Sequence, residues 1–207
     1  MIPSPSWKAF SEKASEMYHN QLTPEGIEYL TGPERGLTEE TIERFRLGLV
    51  VDPVPGHEHY QGMISIPYLT TYGVVSLRFR RFGEGDGKKY LTMPGDPPRI
   101  YNVSDLELGT RGVCLTEGEF DCMVAVQCGL PCIGLPGAQS WKSVMGRLLD
   151  QYDQVMLLQD DDDAGRKMAD KLSKSLRNLR PVVMTGGDVT SFFVDNGAEA
   201  LRRKVLG

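Results

Sequence analysis

Two acidic segments, each directly after a short apolar run, contain the residues whose types and spacing suit chemistry. The first runs from Glu117 to Asp121 (EGEFD) and follows the apolar run 113–116. The second runs from Asp160 to Gly165 (DDDDAG) and follows the run 154–159. If both runs are strands of one parallel sheet, the two segments meet at its carboxyl edge, where such sheets place their sites.

Four consecutive aspartates are electrostatically unfavourable when their charges converge. Two carboxylates about 4 Å apart repel by roughly 4 kcal/mol at an effective dielectric constant of about 20. A bound divalent cation reverses the sign of that energy, and carboxylate oxygens are hard donors that suit Mg²⁺ or Mn²⁺. The run therefore has a chemical reason to hold a cation.

The acidic segments have two interpretations. A solvated loop that caps the next helix accounts for the four aspartates alone, with Asp163 near the helix N-terminus. Glu117 on a neighbouring strand end favours a metal site, in which Asp160 and Asp162 point to one side because strand residues alternate. A glutamate and an Asp-x-Asp pair on the strand ends of one sheet thus indicate a divalent-metal site.

A basic stretch between residues 60 and 101 is the second candidate surface. It contains six basic residues against three acids, and Phe79 and Phe82 alternate with its arginines as surfaces on which bases can stack. The alternative is an ordinary β-hairpin with a charged outer face, but a metal site in the same chain favours nucleic-acid binding. The six basic residues are Arg78, Arg80, Arg81, Lys88, Lys89 and Arg99.

The predicted order of helices and strands, which must position these residues, changes at about residue 104. Beyond it, short apolar runs alternate with helical segments, which predicts an α/β fold with a parallel sheet flanked by helices. The longest predicted helix spans residues 165–179, with Met168, Leu172, Leu176 and Leu179 on its buried face. We therefore predict a metal-binding domain over residues 104–207, preceded by a smaller mixed α+β subdomain over residues 1–103.

Helices followed by short strands are predicted for the first 103 residues. Thr23 and Thr38 are typical N-cap residues, and Gly48 is predicted to end the helix that Thr38 begins. The segment 52–59 is predicted to be a solvated loop. Strands are then predicted at 63–69, 74–82 and 88–91, with a hairpin loop at 83–87.

Composition bounds the remaining possibilities. The formal net charge of −5 gives no sign of a polyanionic partner, although an acidic site and a basic groove cancel in such a sum. No apolar stretch reaches the roughly 18 residues of a membrane span. The four cysteines lie in an apolar stretch without a CxxC pair, which predicts buried thiols. We therefore expect a cytoplasmic protein without a membrane partner.

The two acidic segments resemble the paired motifs of the TOPRIM domain, which DnaG-type primases, topoisomerases and some nucleases share. By this resemblance Glu117, Asp160 and Asp162 are catalytic residues and ligands of Mg²⁺ or Mn²⁺. Gly118 and Asp121 would support the site. The sequence alone does not decide whether Glu117 acts as a ligand or as a base.

Upstream segments resemble the catalytic core of DnaG-type primases rather than the other TOPRIM families. The stretch 35–48 is similar to the primase element that begins with Arg-Gly-Leu. The stretch 63–68 is similar to the primase strand in which apolar residues lead into Phe-Pro-Ile. The stretches 73–81, 89–91 and 100–102 follow the primase order. The resemblance implies that Arg78, Arg80, Arg81, Lys88, Lys89 and Tyr90 bind nucleotide or template.

The resemblance implies a DNA-directed RNA polymerase. Such an enzyme uses two metal ions to synthesise short RNA primers on a single-stranded DNA template. Ribonucleoside triphosphates would be the substrates, and a replicative helicase or a separate zinc-ribbon domain would be a partner. This chain has no zinc-ribbon cysteines before the core, so no zinc is expected. A metal-dependent nuclease and a non-catalytic nucleic-acid-binding module remain alternatives.

Departures from the primase pattern occur at two places. The family carries Asp-Pro-Asp after the last strand, whereas here Asp188 keeps the first acid, as a further candidate ligand, and Thr190 replaces the second. The glycines that precede the position of Arg81 in the family are Phe79 and Arg80 here.

Overall fold

A computed structural model describes residues 3–83, 87–135 and 140–207. The chain divides into two compact units, one of Met1–Gly32 with Leu37–Pro97 and one of Pro33–Gly36 with Pro98–Gly207. Most of the predicted hairpin loop at 83–87 lies outside the described residues. Within the described ranges, no helix combines the length and apolar character needed to cross a membrane.

The N-terminal unit contains a four-stranded antiparallel sheet in the order β1-β2-β3-β4. The predicted hairpin joins the third strand to the short fourth one, with Arg80 paired with Tyr90. Three helices accompany the sheet, and α1 packs on β3. The elements are α1 (Pro5–Asn20), α2 (Pro24–Thr31), α3 (Glu39–Arg44), β1 (Gly48–Leu49), β2 (Met63–Thr70), β3 (Gly73–Arg81) and β4 (Tyr90–Thr92).

An aromatic cluster fills the core of the N-terminal unit. The rings of Tyr60 and Phe79 stack with centroids 3.8 Å apart, and the ring of His57 meets Phe79 edge-on. His57 is buried, and the Tyr18 hydroxyl contacts its Nδ1 at 2.8 Å. The prediction of a solvated loop over 52–59 is therefore wrong for Val54 and His57, which are buried against α1, whereas most of the segment, including His59, is exposed.

The end of α3 also differs from the prediction that Gly48 terminates it. Thr38 caps the helix as predicted, but the helix ends at Arg44, and Arg46 then adopts a positive φ of 51°. Gly48 instead begins β1, where its Cα lies against the backbone of α1. A glycine is needed here for close packing and not for a helix stop.

The C-terminal unit is a four-stranded parallel sheet in the order β6-β5-β7-β8, flanked by helices, which confirms the predicted α/β class. Side chains of α5 and α6 pack on Val113, Val155 and their alternate neighbours to form one core. All four cysteines are buried and free, as predicted. The elements are β5 (Gly112–Thr116), α4 (Glu119–Gln127), β6 (Cys132–Gly134), α5 (Ser143–Leu149), β7 (Gln154–Asp160), α6 (Asp163–Ser173), β8 (Leu179–Met184) and α7 (Val189–Leu206).

Helix α6 is shorter than predicted, because only the first part of the predicted buried face is helical. Met168 and Leu172 lie on the helix and are buried, but the helix ends at Ser173. Leu176 is buried in the following turn, and Leu179 is the first residue of β8. Asn178 holds that turn by donating from its Nδ2 to two backbone carbonyls, at 3.0 and 2.8 Å.

We predict that Gly48→Ala destabilises the protein by about 1–3 kcal/mol or more, because an added Cβ would overlap the backbone of Tyr18 and force the strand away from α1. The measurement is the urea midpoint of unfolding. Gly26→Ala in α2 is the control: its added Cβ meets mainly the flexible end of Leu22, and alanine favours the helix by about 1 kcal/mol. Equal midpoints for the two variants would contradict the packing argument.

Candidate metal and nucleic-acid site

Three neighbouring strand ends bring the predicted acidic residues to one edge of the parallel sheet. β5 ends at Thr116, directly before Glu117, and β7 ends at Asp160 itself. β8 ends at Met184, shortly before Asp188. Because β5, β7 and β8 are parallel neighbours, their carboxyl ends lie side by side.

The turn after β5 places Asp121 against the strand end. Thr116 donates from its Oγ1 to the Gly118 carbonyl at 2.9 Å, and α4 begins at the next residue, Glu119. A Cβ on Gly118 would lie 3.2 Å from Oδ2 of Asp121, a closer approach than most Cβ atoms make. Gly118 therefore admits the carboxylate of Asp121 next to Glu117.

The four consecutive aspartates have four different environments. Asp160 ends β7, and the carboxylate of Asp161 accepts from the Gly186 amide at 3.1 Å. Asp162 is the N-cap of α6 and accepts from the Gly165 amide at 2.7 Å, while Asp163 pairs with Arg166 at 2.6 Å. The interpretation as a helix cap thus holds for Asp162, with the residue one position earlier than expected.

The start of α7 supplies the third acidic segment. Asp188 is the N-cap, and its Oδ1 accepts from the Ser191 amide at 2.7 Å and from the Ser191 hydroxyl at 2.8 Å. Two residues further on, Thr190 donates to the carboxylate of Asp121. The first turn of α7 therefore contacts two of the predicted site residues.

Burial and mutual repulsion raise the pKa values of the central carboxyls. Burial raises the pKa of Asp160 to about 8, with further increases from the charges of Asp121, Glu117, Asp188 and Asp162. Burial and the charge of Asp188 raise the pKa of Asp121 to about 6, against hydrogen bonds from Thr190 and the charge of Arg35. The structure thus brings the other four predicted acids of the C-terminal unit within electrostatic range of Asp160.

The donor chemistry of this cluster fits a hard divalent cation. Its oxygens are carboxylates, which Mg²⁺ and Mn²⁺ prefer, and a cation would relieve the repulsion centred on Asp160. In the described part of the chain, no group of three or more His, Cys, Asp or Glu side chains is gathered closely enough to hold a metal ion. The acids are thus neighbours without converging on one point.

Arg80, one of the six residues predicted to bind nucleotide or template, is buried in the N-terminal unit. Its Nε donates to the Tyr29 hydroxyl at 3.0 Å, and its guanidinium also donates to the Tyr90 hydroxyl. The guanidinium groups of Arg78 and Arg80 lie 4.5 and 5.0 Å from the centre of the Tyr90 ring, as in cation–π contacts. Arg80 therefore holds Tyr90 in place through a hydrogen bond and a cation–π contact.

Arg81, Lys88 and Lys89 lie at the connection between β3 and β4. The backbone amide of Arg81 donates to the Lys89 carbonyl at 3.0 Å, and its guanidinium donates to the Lys88 carbonyl at 3.3 Å. Both lysine side chains are exposed. The strand predicted to start at Lys88 begins at Tyr90, so the two lysines belong to the loop.

Two residues near the acids had no predicted site role. Arg35, noted only as part of a motif, lies over the Phe120 ring with its guanidinium carbon 5.4 Å from the ring centre, and its charge lowers the pKa of Asp121. Thr190 was noted as the replacement of an acid. Its hydrogen bonds to Asp121 join segments 69 residues apart, and no local pattern reports such a contact.

Comparison with known proteins places this geometry in a family. Residues 114–188 match a Toprim-like family model. The Gene 57 protein of Mycobacterium phage D29 is 39% identical over 152 residues, which cover 70% of this chain and 99% of that protein. A DNA primase of Rickettsia felis is 23% identical over 228 residues, covering 91% of this chain and 37% of the primase.

Solved structures share the fold at low sequence identity. The zinc-binding and RNA polymerase domains of Aquifex aeolicus primase align with a TM-score of 0.81 and 22% identity, over 97% of this chain and 60% of that one. A DnaG primase catalytic domain bound to single-stranded DNA aligns with a TM-score of 0.76 and 19% identity, over 96% of this chain and 77% of that one. The chain therefore spans about a third of the Rickettsia felis primase and under two thirds of the Aquifex fragment.

We predict that, without divalent ions, the protein loses stability as the pH rises from about 4 to about 8. The folded-state pKa of Asp160 lies above its ordinary value, so the folded protein holds a proton there that the unfolded chain has released. Asp160→Asn should therefore raise the thermal midpoint at pH 8.5 in EDTA by more than it does at pH 5. The matched control is Asp163→Asn, an exposed member of the same run; if it gives the same pH-dependent gain, the repulsion is not centred on Asp160.

Proposed function

The chain belongs to the family of the Gene 57 protein of Mycobacterium phage D29, with the TOPRIM domain and catalytic-core fold of DnaG-type primases, and we propose that it is a primase. The proposed reaction is template-directed synthesis of short RNA primers on single-stranded DNA. It is a nucleotidyl transfer, in which a primer 3′-hydroxyl attacks a ribonucleoside triphosphate and releases pyrophosphate.

The cluster of carboxylates on three adjacent strand ends is the observation that carries this proposal. Phosphoryl transfer needs little covalent chemistry from the protein and depends on positioned charge. A half-buried acid whose pKa is raised to about 8 beside four other carboxyls is stabilised as an anion by added positive charge. Two divalent cations would supply that charge when bound, and a polyphosphate substrate would be held by it.

Glu117, Asp160, Asp162 and Asp188 are the residues that we propose as metal ligands. When bound, Mg²⁺ or Mn²⁺ would lower the pKa of the attacking hydroxyl and neutralise charge on the leaving group. Asp162 also caps α6 through one oxygen, so its second oxygen is the one that faces away from the helix amide. Gly165 lets α6 start directly against the backbone of Asp160, which fixes both aspartates relative to β7.

Basic residues of the N-terminal unit are the proposed contacts for phosphates of template and nucleotide. Lys88 and Lys89 are exposed, and Arg81 lies beside them, held through the Lys88 carbonyl. Arg78 and Tyr90 form a cation–π pair that offers both a charge and an aromatic edge. Arg80 is better described as the support of Tyr90 than as a phosphate contact.

The whole reaction is expected to involve partners beyond this chain. The matched Aquifex fragment is a primase with a zinc-binding domain in addition to its polymerase domain. We propose that a zinc-ribbon domain, on this polypeptide's natural partner or elsewhere, assists template recognition, and that a replicative helicase recruits the enzyme. The zinc-ribbon domain and the helicase are both parts of this proposal.

We predict that the protein makes short RNA products from ribonucleotides on a single-stranded DNA template with Mg²⁺ or Mn²⁺. Asp160→Asn should reduce product formation by about 10²-fold or more, because it removes a central carboxylate of the site. Asp163→Asn is the matched control and should stay within a few-fold of the wild type, since Asp163 pairs with Arg166 at the surface. Products are resolved on a denaturing gel with labelled ribonucleotides.

The outcomes of this assay separate the alternatives. Shortened template without added nucleotides, lost in Asp160→Asn, would replace the primase proposal with a nuclease. Binding of template with neither product, even with a zinc-ribbon domain supplied, would favour a non-catalytic binding module.

We also predict that affinity for single-stranded DNA falls as salt rises, because phosphate contacts release counterions. Lys89→Ala should reduce the slope of log K against log salt by about one contact. Lys174→Ala, which removes the same charge from an exposed position after α6, should leave the slope unchanged. Fluorescence anisotropy over a salt series measures both, and equal slopes for the two variants would remove Lys89 from the interface.

A further inference from the structure

The first turn of α7 holds two carboxylates that come from different segments of the chain. Oδ1 of Asp121, from the first turn of α4, accepts from the Thr190 amide at 3.0 Å and from the Thr190 hydroxyl at 2.8 Å. Oδ1 of Asp188 accepts in the same way from the amide and the hydroxyl of Ser191. One helical turn thus supplies an amide and a hydroxyl to each acid.

Both acids are held through the same one of their two oxygens. Among the described residues, every hydrogen bond to the carboxylate of Asp121 or Asp188 ends on Oδ1. Oδ2 of Asp121 lies instead against Gly118, in the turn that follows Glu117. The hydrogen bonds therefore fix the rotation of each carboxylate and leave its second oxygen for another ligand.

Thr190 supplies two hydrogen-bond donors to Asp121. Its side chain is buried, with 4% of its surface exposed, and it contacts an acid that Asp188 already repels. An aspartate at this position would place a second carboxylate, which can only accept, beside the carboxylate of Asp121. It would also add a further negative charge. A threonine satisfies Asp121 without a cation, because its hydroxyl donates.

We propose that Thr190 is a positioning residue, which turns Asp121 so that its Oδ2 joins Asp188 Oδ2 as a donor for the divalent ion. This inference rests on the proposed metal site and extends it. Asp121 becomes a ligand oriented by α7 instead of a supporting residue. Where the resembling family carries an acid, this chain thus has a hydroxyl that donates to Asp121.

Titration with Mn²⁺, followed by the electron paramagnetic resonance of the free ion, tests this without any turnover. Thr190→Val keeps the shape and the amide but removes the hydroxyl, and should weaken Mn²⁺ binding by about 10-fold, as loss of a residue that orients a ligand does. Thr190→Ser keeps both donors and should restore affinity to within about 2-fold of the wild type. Thr185→Val, at an exposed position after β8, is the control for a lost threonine hydroxyl.

Thr190→Asp gives a second readout that does not depend on the behaviour of the valine variant. In EDTA its thermal midpoint should fall below that of the wild type, and Mn²⁺ should raise the midpoint more than it does for the wild type. If Thr190→Val binds Mn²⁺ like the wild type while Asp160→Asn does not, the positioning role is wrong and the metal site stands. If the wild type binds no Mn²⁺, both proposals fail.

Discussion

Five carboxyl groups at the carboxyl edge of the parallel sheet repel one another, and the end of β7 lies at their centre. The charges of Asp121, Glu117, Asp188 and Asp162 all act on Asp160, whose own burial already disfavours the anion. Hydrophobic packing of the sheet fixes the strand ends, so the acids cannot move apart without disrupting the core. The fold thus sustains the repulsion, which added positive charge at this edge of the sheet would relieve.

Backbone amides at turns and helix starts stabilise these carboxylates when no cation is bound. Asp162 accepts from an amide of α6, Asp188 from an amide of α7, and Asp161 from the Gly186 amide. Amides at helix N-termini stabilise anions through both the hydrogen bond and the helix dipole. Each such bond engages one oxygen, so a carboxylate can be held in place and still bind a metal ion with the other.

The class of the fold and the place of the acidic residues at strand ends could be predicted because both depend on local patterns. Alternating apolar runs predict strands, and acids directly after them must lie at strand ends. The end of α6 could not be predicted in this way, because Leu176 and Leu179 continue the helical spacing although they occupy a turn and a strand. The role of Gly48 likewise depends on the distant backbone of α1, which no spacing along the sequence reports.

Arg80 shows how a departure from a family pattern can be absorbed by packing. Its neighbour Phe79 points into the aromatic core and stacks on Tyr60, so alternation turns Arg80 to the opposite face of β3. There two tyrosine hydroxyls, of Tyr29 and Tyr90, accept from the guanidinium, and the Tyr90 ring lies beneath its charge. The buried guanidinium remains charged and is held by these tyrosines, whereas Lys88 and Lys89 of the loop are exposed. The residues at the family's glycine positions therefore belong to the packing of this unit, Phe79 through the aromatic core and Arg80 through Tyr29 and Tyr90.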